Sequence, residues 1–139
     1  MPQLDTYLNF DGNCAEAMRF YEKALGGKLE ALMTHAESPM AAQASPGNAN
    51  RIMHSRLVVD GAVLMAADMM AGQPSGGMKG FALSLVYPTA AEAQRVFEAL
   101  AEGGRVTMPL QKVFWAEAFG ELVDRFGTPW MVGGAMAAM

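Results

Sequence analysis

One helix-like segment occurs twice in this 139-residue chain, and this repetition restricts the fold more than any other feature. The segment "AEAMRFYEKALGG" at residues 15–27 returns as "AEAQRVFEALAEG" at residues 91–103, with six identical residues at equivalent positions. Each copy has an apolar stripe at helical spacing and ends in glycine, as amphipathic helices do. A capping-box pair stands at each start: Asn13 with Glu16, and Thr89 with Glu92. The sequence therefore predicts one structural unit written twice.

Strand-like runs surround both helix-like segments in the same order, one before and three after. They lie at residues 4–10, 28–35, 52–60 and 62–68 in the first copy, and at 80–87, 105–110, 118–124 and 128–133 in the second. Turn sequences at residues 60–61 and 124–127 predict that the last two runs of each copy form a hairpin. The pattern predicts an α+β fold of two tandem βαβββ modules.

The two modules fit in a single domain, because 139 residues are enough for one compact core. We place the first module at about residues 1–70, a linker at about 71–79 and the second module at about 80–135. Residues 36–50, rich in Ala, Ser, Pro, Asn and Gly, predict a mobile surface loop. Each helix covers one face of its sheet, so the opposite faces of two curved mixed sheets are expected to enclose a cleft.

Charge and cysteine content restrict the partners and the compartment. The net charge is -4 and there is no basic run, so we expect no nucleic-acid partner. One cysteine excludes an intrachain disulfide, and no signal peptide is evident, which favours the cytoplasm. No apolar run is long enough to span a membrane. Short polar strand edges favour pairing with a second copy, so a homodimer is expected.

Three stretches carry a resemblance to a known family: "YLNFDGNCAEAMRFYEKALGG", "MHSRLVVDGAVLMAAD" and "FWAEAFGELVDRFGTPWMV". Together with the paired modules, they resemble the glyoxalase and bleomycin-resistance group of the vicinal oxygen chelate superfamily, in its PhnB-like branch. The resemblance implies the βαβββ fold but no single activity, because the superfamily hosts lyases, isomerases, dioxygenases, transferases and drug-sequestering proteins. PhnB-like proteins are also labelled demethylubiquinone methyltransferases, yet no methyl-donor-binding glycine loop follows the first strand.

Metalloenzymes of this superfamily take His, Gln or Glu ligands from the first and last strands of each module. Matching implies that these positions hold Asp5, Met65, Gly80 or Phe81, and Met131. Thioethers are soft ligands unsuited to hard divalent ions, so we expect no metal cofactor. An alternative metal set uses Asp5, His54, Asp68 and Glu121, although surface charge also explains the last two.

His54 and Arg56 are the candidate polar anchors of a binding site. Strand alternation places them on one face of the run at residues 52–60, with Ser55 and Leu57 on the other face. A histidine beside an arginine is suited to binding an anionic group or to acting as a general base, whereas a half-buried or solvent-facing strand histidine needs no function. His35 is a weaker candidate, Cys14 fits best as a small packed residue, and strand register decides whether Tyr7 and Asn9 face the cleft.

Phe114 and Trp115 lie between two strand-like runs and fit either an apolar pocket wall or packing at a dimer interface. We therefore predict non-covalent binding of a small organic molecule. The expected ligand-binding residues are His54, Arg56, Met65, Phe114, Trp115 and Met131. The alternatives are a metal-dependent lyase, isomerase or dioxygenase of the same superfamily, and a structural or regulatory protein without a ligand.

Overall fold

The computed structural model describes residues 2–73 and 76–137, and the chain divides into two compact units after residue 75. The first unit has the order β1 (Thr6–Phe10), α1 (Cys14–Leu25), β2 (Lys28–Thr34), a short 3-10 helix (Ala41–Gln43), β3 (Ile52–Val59) and β4 (Ala62–Asp68). The second has the order β5 (Leu83–Tyr87), α2 (Ala90–Ala101), β6 (Arg105–Val113), β7 (Ala116–Val123) and β8 (Pro129–Met136). Residues 74 and 75 of the predicted linker lie outside the described residues.

Each unit contains a mixed four-stranded sheet, ordered β1-β4-β3-β2 in the first unit and β5-β8-β7-β6 in the second. The first and last strands of each unit pair parallel, and the remaining neighbours pair antiparallel. The α+β class and the two tandem βαβββ modules are therefore confirmed. Among the described residues, no helix is long and apolar enough to cross a membrane.

The first strand of each unit is shorter than the sequence predicts. The β1 ladder begins where Thr6 pairs with Leu64, and the β5 ladder begins where Leu83 pairs with Trp130. Leu4 is 98% exposed and Phe81 is 47% exposed, so the apolar residues that extended both predictions do not join the buried part of a sheet. Apolar composition alone gave the wrong strand starts, because backbone pairing decides where a strand begins.

The two helices start differently, although the sequence predicts a capping box for both. The Thr89 Oγ1 accepts from the Glu92 N–H at 3.2 Å and donates to the Glu92 carboxylate at 3.1 Å. Asn13 makes no side-chain cap, so the first capping box is wrong. Its place is taken by Asp68 at the end of β4, whose Oδ1 accepts from the N–H of Gly12 at 2.9 Å and of Cys14 at 3.0 Å. A carboxylate also suits the positive end of the α1 dipole.

Each helix packs on one face of its own sheet, as the predicted stripes require. α1 buries Cys14, Ala17, Met18, Tyr21 and Ala24, and α2 buries Ala93, Val96, Phe97 and Leu100. The contact between α2 and its sheet is very close at Gly134 of β8. An added Cβ there would lie 2.5 Å from the Thr89 carbonyl oxygen and 2.7 Å from the Ala93 Cβ. Glycine is required there because no larger residue fits between strand and helix.

Candidate functional site

The first sheet packs one face on α1, so its opposite face is not covered by that helix. Ser55 and Leu57 of β3 are fully buried, and the Ser55 Oγ lies 3.6 Å from the Cys14 Sγ of α1. Strand alternation therefore directs His54 and Arg56 to the opposite face, which we call the first open face. The burial of Ser55 and Leu57 on the helix side agrees with the predicted alternation, and the placement of His54 and Arg56 follows from that alternation.

A row of three side chains crosses the first open face. Met65 of β4 pairs with Tyr7 of β1 on one side and with Arg56 of β3 on the other. The register that the sequence left open is thus decided: Leu8 and Phe10 are buried, while Tyr7 is 47% exposed. Burial of part of the ring raises the pKa of Tyr7, and the nearby Cys14 thiol adds to this shift. The row places a phenol, a thioether and a guanidinium side by side on this face.

Arg56 carries an ion pair that the sequence did not predict. Its Nη1 donates to the carboxylate of Glu30, which lies at a β-bulge in β2 between Leu29 and Ala31. Both side chains remain about two-fifths exposed, at 38% for Arg56 and 42% for Glu30. His54 lies one residue pair further along β3, opposite Met33. The two candidate anchors share one face, and one of them is partly neutralised.

The second sheet has an equivalent open face. Met131 of β8 pairs with Ser84 of β5 and with Glu121 of β7, and all three lie opposite the face that packs on α2. Phe119 pairs with Gly133 on the same face. We call this the second open face. It has a thioether at the position equivalent to Met65 of the first sheet.

The predicted aromatic pair lies in the turn between β6 and β7. The rings of Phe114 and Trp115 are 4.7 Å apart and nearly perpendicular, and the Trp115 ring lies 5.4 Å from that of Phe119. Phe114 is 86% exposed, so it is not part of the core of this chain. Trp115 therefore connects an exposed ring at the turn to the second open face.

The positions that the resemblance implies for metal ligands are only partly on strands. Asp5 precedes β1 and accepts a hydrogen bond from Gln3 at 2.8 Å, while Gly80 and Phe81 precede β5. On the parallel ladders, Met65 pairs with Tyr7 and Met131 pairs with Ser84, so the implied ligand positions before β1 and β5 are not the ladder partners of the two methionines. In residues 2–73 and 76–137, no three His, Cys, Asp or Glu side chains form a group that could hold a metal ion.

Asp68 has a structural role rather than the surface or metal-binding role considered from the sequence. Besides its two contacts at the start of α1, its Oδ2 accepts from the Ile52 N–H at 2.9 Å. The residue is only 9% exposed, and its ladder partner Phe10 is buried. Its carboxylate is thus satisfied by three backbone donors. A long-range cap of this kind has no signal in local sequence.

Cys14 is buried at the first turn of α1, as its interpretation as a small packed residue requires. Burial raises the pKa of its thiol to about 11, the hydrogen bond with Ser55 lowers it less, and the charge of Asp68 raises it. Burial therefore outweighs the effect of the helix dipole, which on its own would activate a thiol. The structure indicates an unreactive cysteine.

At pH 8, the Cys14 thiol is expected to react with Ellman's reagent at least about a hundredfold more slowly in the folded than in the urea-unfolded protein, because two pKa units separate their thiolate populations. The unfolded thiol also ionises first, so the free energy of unfolding falls as pH rises from about 9 to about 11, by roughly 1.4 kcal/mol per unit. Urea titrations at several pH values measure this fall. A Cys14→Ser variant with the same alkaline slope would contradict it.

The structure divides the six predicted ligand-binding residues between the units. His54, Arg56 and Met65 share the first open face, Met131 lies on the second, and Phe114 and Trp115 lie at the turn beside it. His35 belongs to neither face, because it follows β2 and lines a separate cavity together with Met40, Met53 and Met70. Sequence reasoning missed Tyr7 as a defined member of the first row and Glu30 as the partner of Arg56.

Comparisons with known proteins agree with this architecture. The model of the Glyoxalase/Bleomycin resistance protein/Dioxygenase superfamily matches residues 3–132. Protein YjdN of Escherichia coli (strain K12) is 36% identical over 139 residues, covering 93% of this chain and 92% of YjdN. Protein PA1353 from Pseudomonas aeruginosa is 46% identical with a TM-score of 0.89, over 96% of this chain and 98% of PA1353. The PhnB protein from Bacillus cereus, whose name proposes a 3-demethylubiquinone-9 3-methyltransferase, is 25% identical with a TM-score of 0.81, over 96% and 100% of the two chains.

Proposed function

Because the chain belongs to the glyoxalase/bleomycin resistance protein/dioxygenase superfamily, we propose that it binds a small organic molecule non-covalently on sheet faces that its helices leave open. The main support for this proposal is the row of Tyr7, Met65 and Arg56 on the first open face. An apolar thioether flanked by a phenol and a cation is suited to a planar molecule with a negative group. The superfamily fold alone does not specify this chemistry.

Arg56 and His54 are the groups on the first open face that favour an anionic ligand. Arg56 and His54 lie on the same side of β3, separated by one residue, so both can contact one carboxylate or sulfonate. In the unbound protein, the Arg56 guanidinium is paired with the Glu30 carboxylate. An incoming anion therefore competes with Glu30 for the guanidinium, which limits the affinity for any small anion.

Apolar contacts on the second open face extend the proposal. Met131 and the rings of Phe114 and Trp115 offer soft, polarisable surface to an aromatic ligand. Phe114 is 86% exposed, which leaves its ring accessible to a bound molecule or to a second copy of the chain.

The proposed binding needs no divalent ion. Met65 and Met131 provide thioether sulfur, which binds hard divalent ions poorly. The Asp68 carboxylate accepts from three backbone N–H groups, so it has little remaining capacity for a metal. These observations favour binding over the alternative of a metal-dependent lyase, isomerase or dioxygenase.

A homodimer in the cytoplasm is the proposed state of the protein. Exposed apolar side chains on the second unit, including Val86, Val106 and Phe114, support burial against another copy. The single cysteine is buried as a free thiol, which is compatible with a reducing compartment. Sedimentation velocity tests the dimer, and a purely monomeric protein at micromolar concentration would contradict it.

The binding proposal is tested with 8-anilinonaphthalene-1-sulfonate, a planar aromatic anion whose fluorescence rises in apolar sites. Arg56→Gln is expected to weaken its binding about fivefold, because the charge-assisted contact is lost from a half-exposed site. Arg19→Gln is the matched control, since Arg19 is exposed on α1 and the helix covers the other face of the sheet. Equal losses in both variants would show attraction to net charge alone and would reject the site.

Glu30→Gln gives the opposite expectation. Freeing Arg56 from its ion pair removes the competing carboxylate, so affinity for the same probe should rise about twofold to fivefold. The combined Glu30→Gln and Arg56→Gln variant should lose this gain, because the gain acts through the guanidinium. Fluorescence titration of the four proteins measures the coupling. A gain that persists without Arg56 would contradict the proposed anchor.

A further inference from the structure

A separate cavity of about 620 Å³ lies in the first unit, where β2 ends and β3 begins. Its lining includes His35, Met40, Gln43, Asn48, Met53 and Met70. None of the residues of the open-face proposal lines it. The volume lies within the range of about 300 to 1,000 Å³ that is typical of small-molecule sites.

Hydrogen bonds hold the walls of this cavity together. Asn48 Oδ1 accepts from the Ala71 N–H at 2.7 Å, and Asn48 Nδ2 donates to the Ser45 Oγ at 2.8 Å. The loop is thereby tied to the segment after β4. On the other side, the His35 N–H donates to the Arg51 carbonyl at 3.1 Å. The cavity is therefore a built feature of the unit.

The lining chemistry is mainly thioether and amide. Met40, Met53 and Met70 come from three separate segments, and methionine sulfur makes favourable contacts with aromatic rings. Unbranched methionine side chains also adapt to the shape of a ligand. Gln43 and Asn48 add neutral polar groups at the same cavity. An aromatic molecule fits this lining better than an ion does.

His35 supplies one directional polar contact. It is half-buried, and its imidazole makes no hydrogen bond to any side chain or backbone group in the described part of the chain. A neutral imidazole has one acceptor nitrogen, which a ligand hydroxyl can use. The Glu37 carboxylate accepts from the backbone N–H and the hydroxyl of Thr34, the residue before His35. This carboxylate therefore already has hydrogen-bond partners.

We propose that this cavity is a second binding site, which takes a neutral planar aromatic molecule carrying one hydroxyl group. The ring lies among the three methionines, and the hydroxyl donates to His35. The site is independent of the open faces and does not require their ligand. It gives the 36–50 insertion, which has no counterpart in the second unit, a function in recognition.

The test uses 2-naphthol as the probe and protein labelled with carbon-13 at the methionine methyl groups. We expect 2-naphthol to shift the Met40, Met53 and Met70 methyl signals through its ring current. The Met18 signal from the core and the Met65 signal from the first open face should stay in place. Single Met→Leu substitutions assign the signals. Failure of the three cavity signals to move, or an equal shift of Met65, would overturn the proposal.

Two variants sharpen the outcome. His35→Ala should weaken 2-naphthol binding about threefold to tenfold, the loss expected for one hydrogen bond. Ala44→Trp, at a cavity-lining loop position, should fill the space and abolish the methyl shifts while leaving 8-anilinonaphthalene-1-sulfonate binding unchanged. Unaltered 2-naphthol binding in both variants would place the probe elsewhere. Arg56→Gln is expected to weaken only the binding of 8-anilinonaphthalene-1-sulfonate, so failures of the two proposals are distinguishable.

Discussion

Replacing Asp68 with alanine is expected to lower the free energy of unfolding by about 3 to 5 kcal/mol. The substitution removes the acceptor for the N–H groups of Gly12, Cys14 and Ile52, at 2.9 to 3.0 Å. Two of these donors lie at the start of α1 and the third at the start of β3, so three elements lose a shared contact. Urea denaturation followed by circular dichroism measures the loss.

Asp60→Asn is the matched control for Asp68. Asp60 is exposed in the β3-β4 turn with φ of 47°, a conformation that asparagine tolerates well. The control should change stability by no more than about 0.5 kcal/mol. The loss of stability in Asp68→Asn should lie between the losses in Asp68→Ala and Asp60→Asn. The amide keeps one acceptor oxygen, but its NH₂ group opposes the Ile52 donor. An Asp68→Ala loss no larger than that of the control would reject the role of Asp68 as a cap.

Replacing Gly134 with alanine is expected to cost about 2 to 3 kcal/mol, and replacing it with valine more. The new Cβ would lie 2.5 Å from the Thr89 carbonyl oxygen and 2.7 Å from the Ala93 Cβ, both at the start of α2. Since backbone cannot yield as a flexible side chain does, α2 must move away from β8 or tilt. The same urea titration measures the effect.

Gly76→Ala serves as the control in the second unit, because an added Cβ there meets nothing within 4 Å. Its effect should stay within about 0.5 kcal/mol of the parent protein. If Gly134→Ala behaved like Gly76→Ala, the close approach of α2 to β8 would be wrong. A loss confined to Gly134 supports the packing that leaves the opposite sheet face open.

The repeat was predictable because local signals agreed at both copies. The apolar stripes, the glycine stops and the flanking strands all depend on residues close in sequence. The helix side of β3 was predictable for the same reason: alternation places Ser55 and Leu57 together, and both are buried. The cap of α1 was not predictable from local sequence, because its acceptor comes from Asp68, 54 residues after Cys14.

The candidate site was only partly predictable. The β1-β4 register places Tyr7 in the row, and a shift of one residue would place it against α1. This register could not be predicted from the sequence. The Glu30 ion pair depends on a bulge in β2 that no local pattern marked. The cavity beside His35 depends on Asn48 binding the Ala71 N–H, a contact between a loop and a later segment. Tertiary contacts of this kind have no periodic signature.

Whether binding needs a metal ion is tested by measuring 8-anilinonaphthalene-1-sulfonate binding to protein dialysed against EDTA, with metal content checked by elemental analysis. We expect the metal-free protein to bind the probe with the same affinity as before dialysis, and Arg56→Gln still to weaken this binding about fivefold. Loss of binding on chelation, restored by added Mn²⁺ or Zn²⁺, would contradict non-metal binding and support the metalloenzyme alternative.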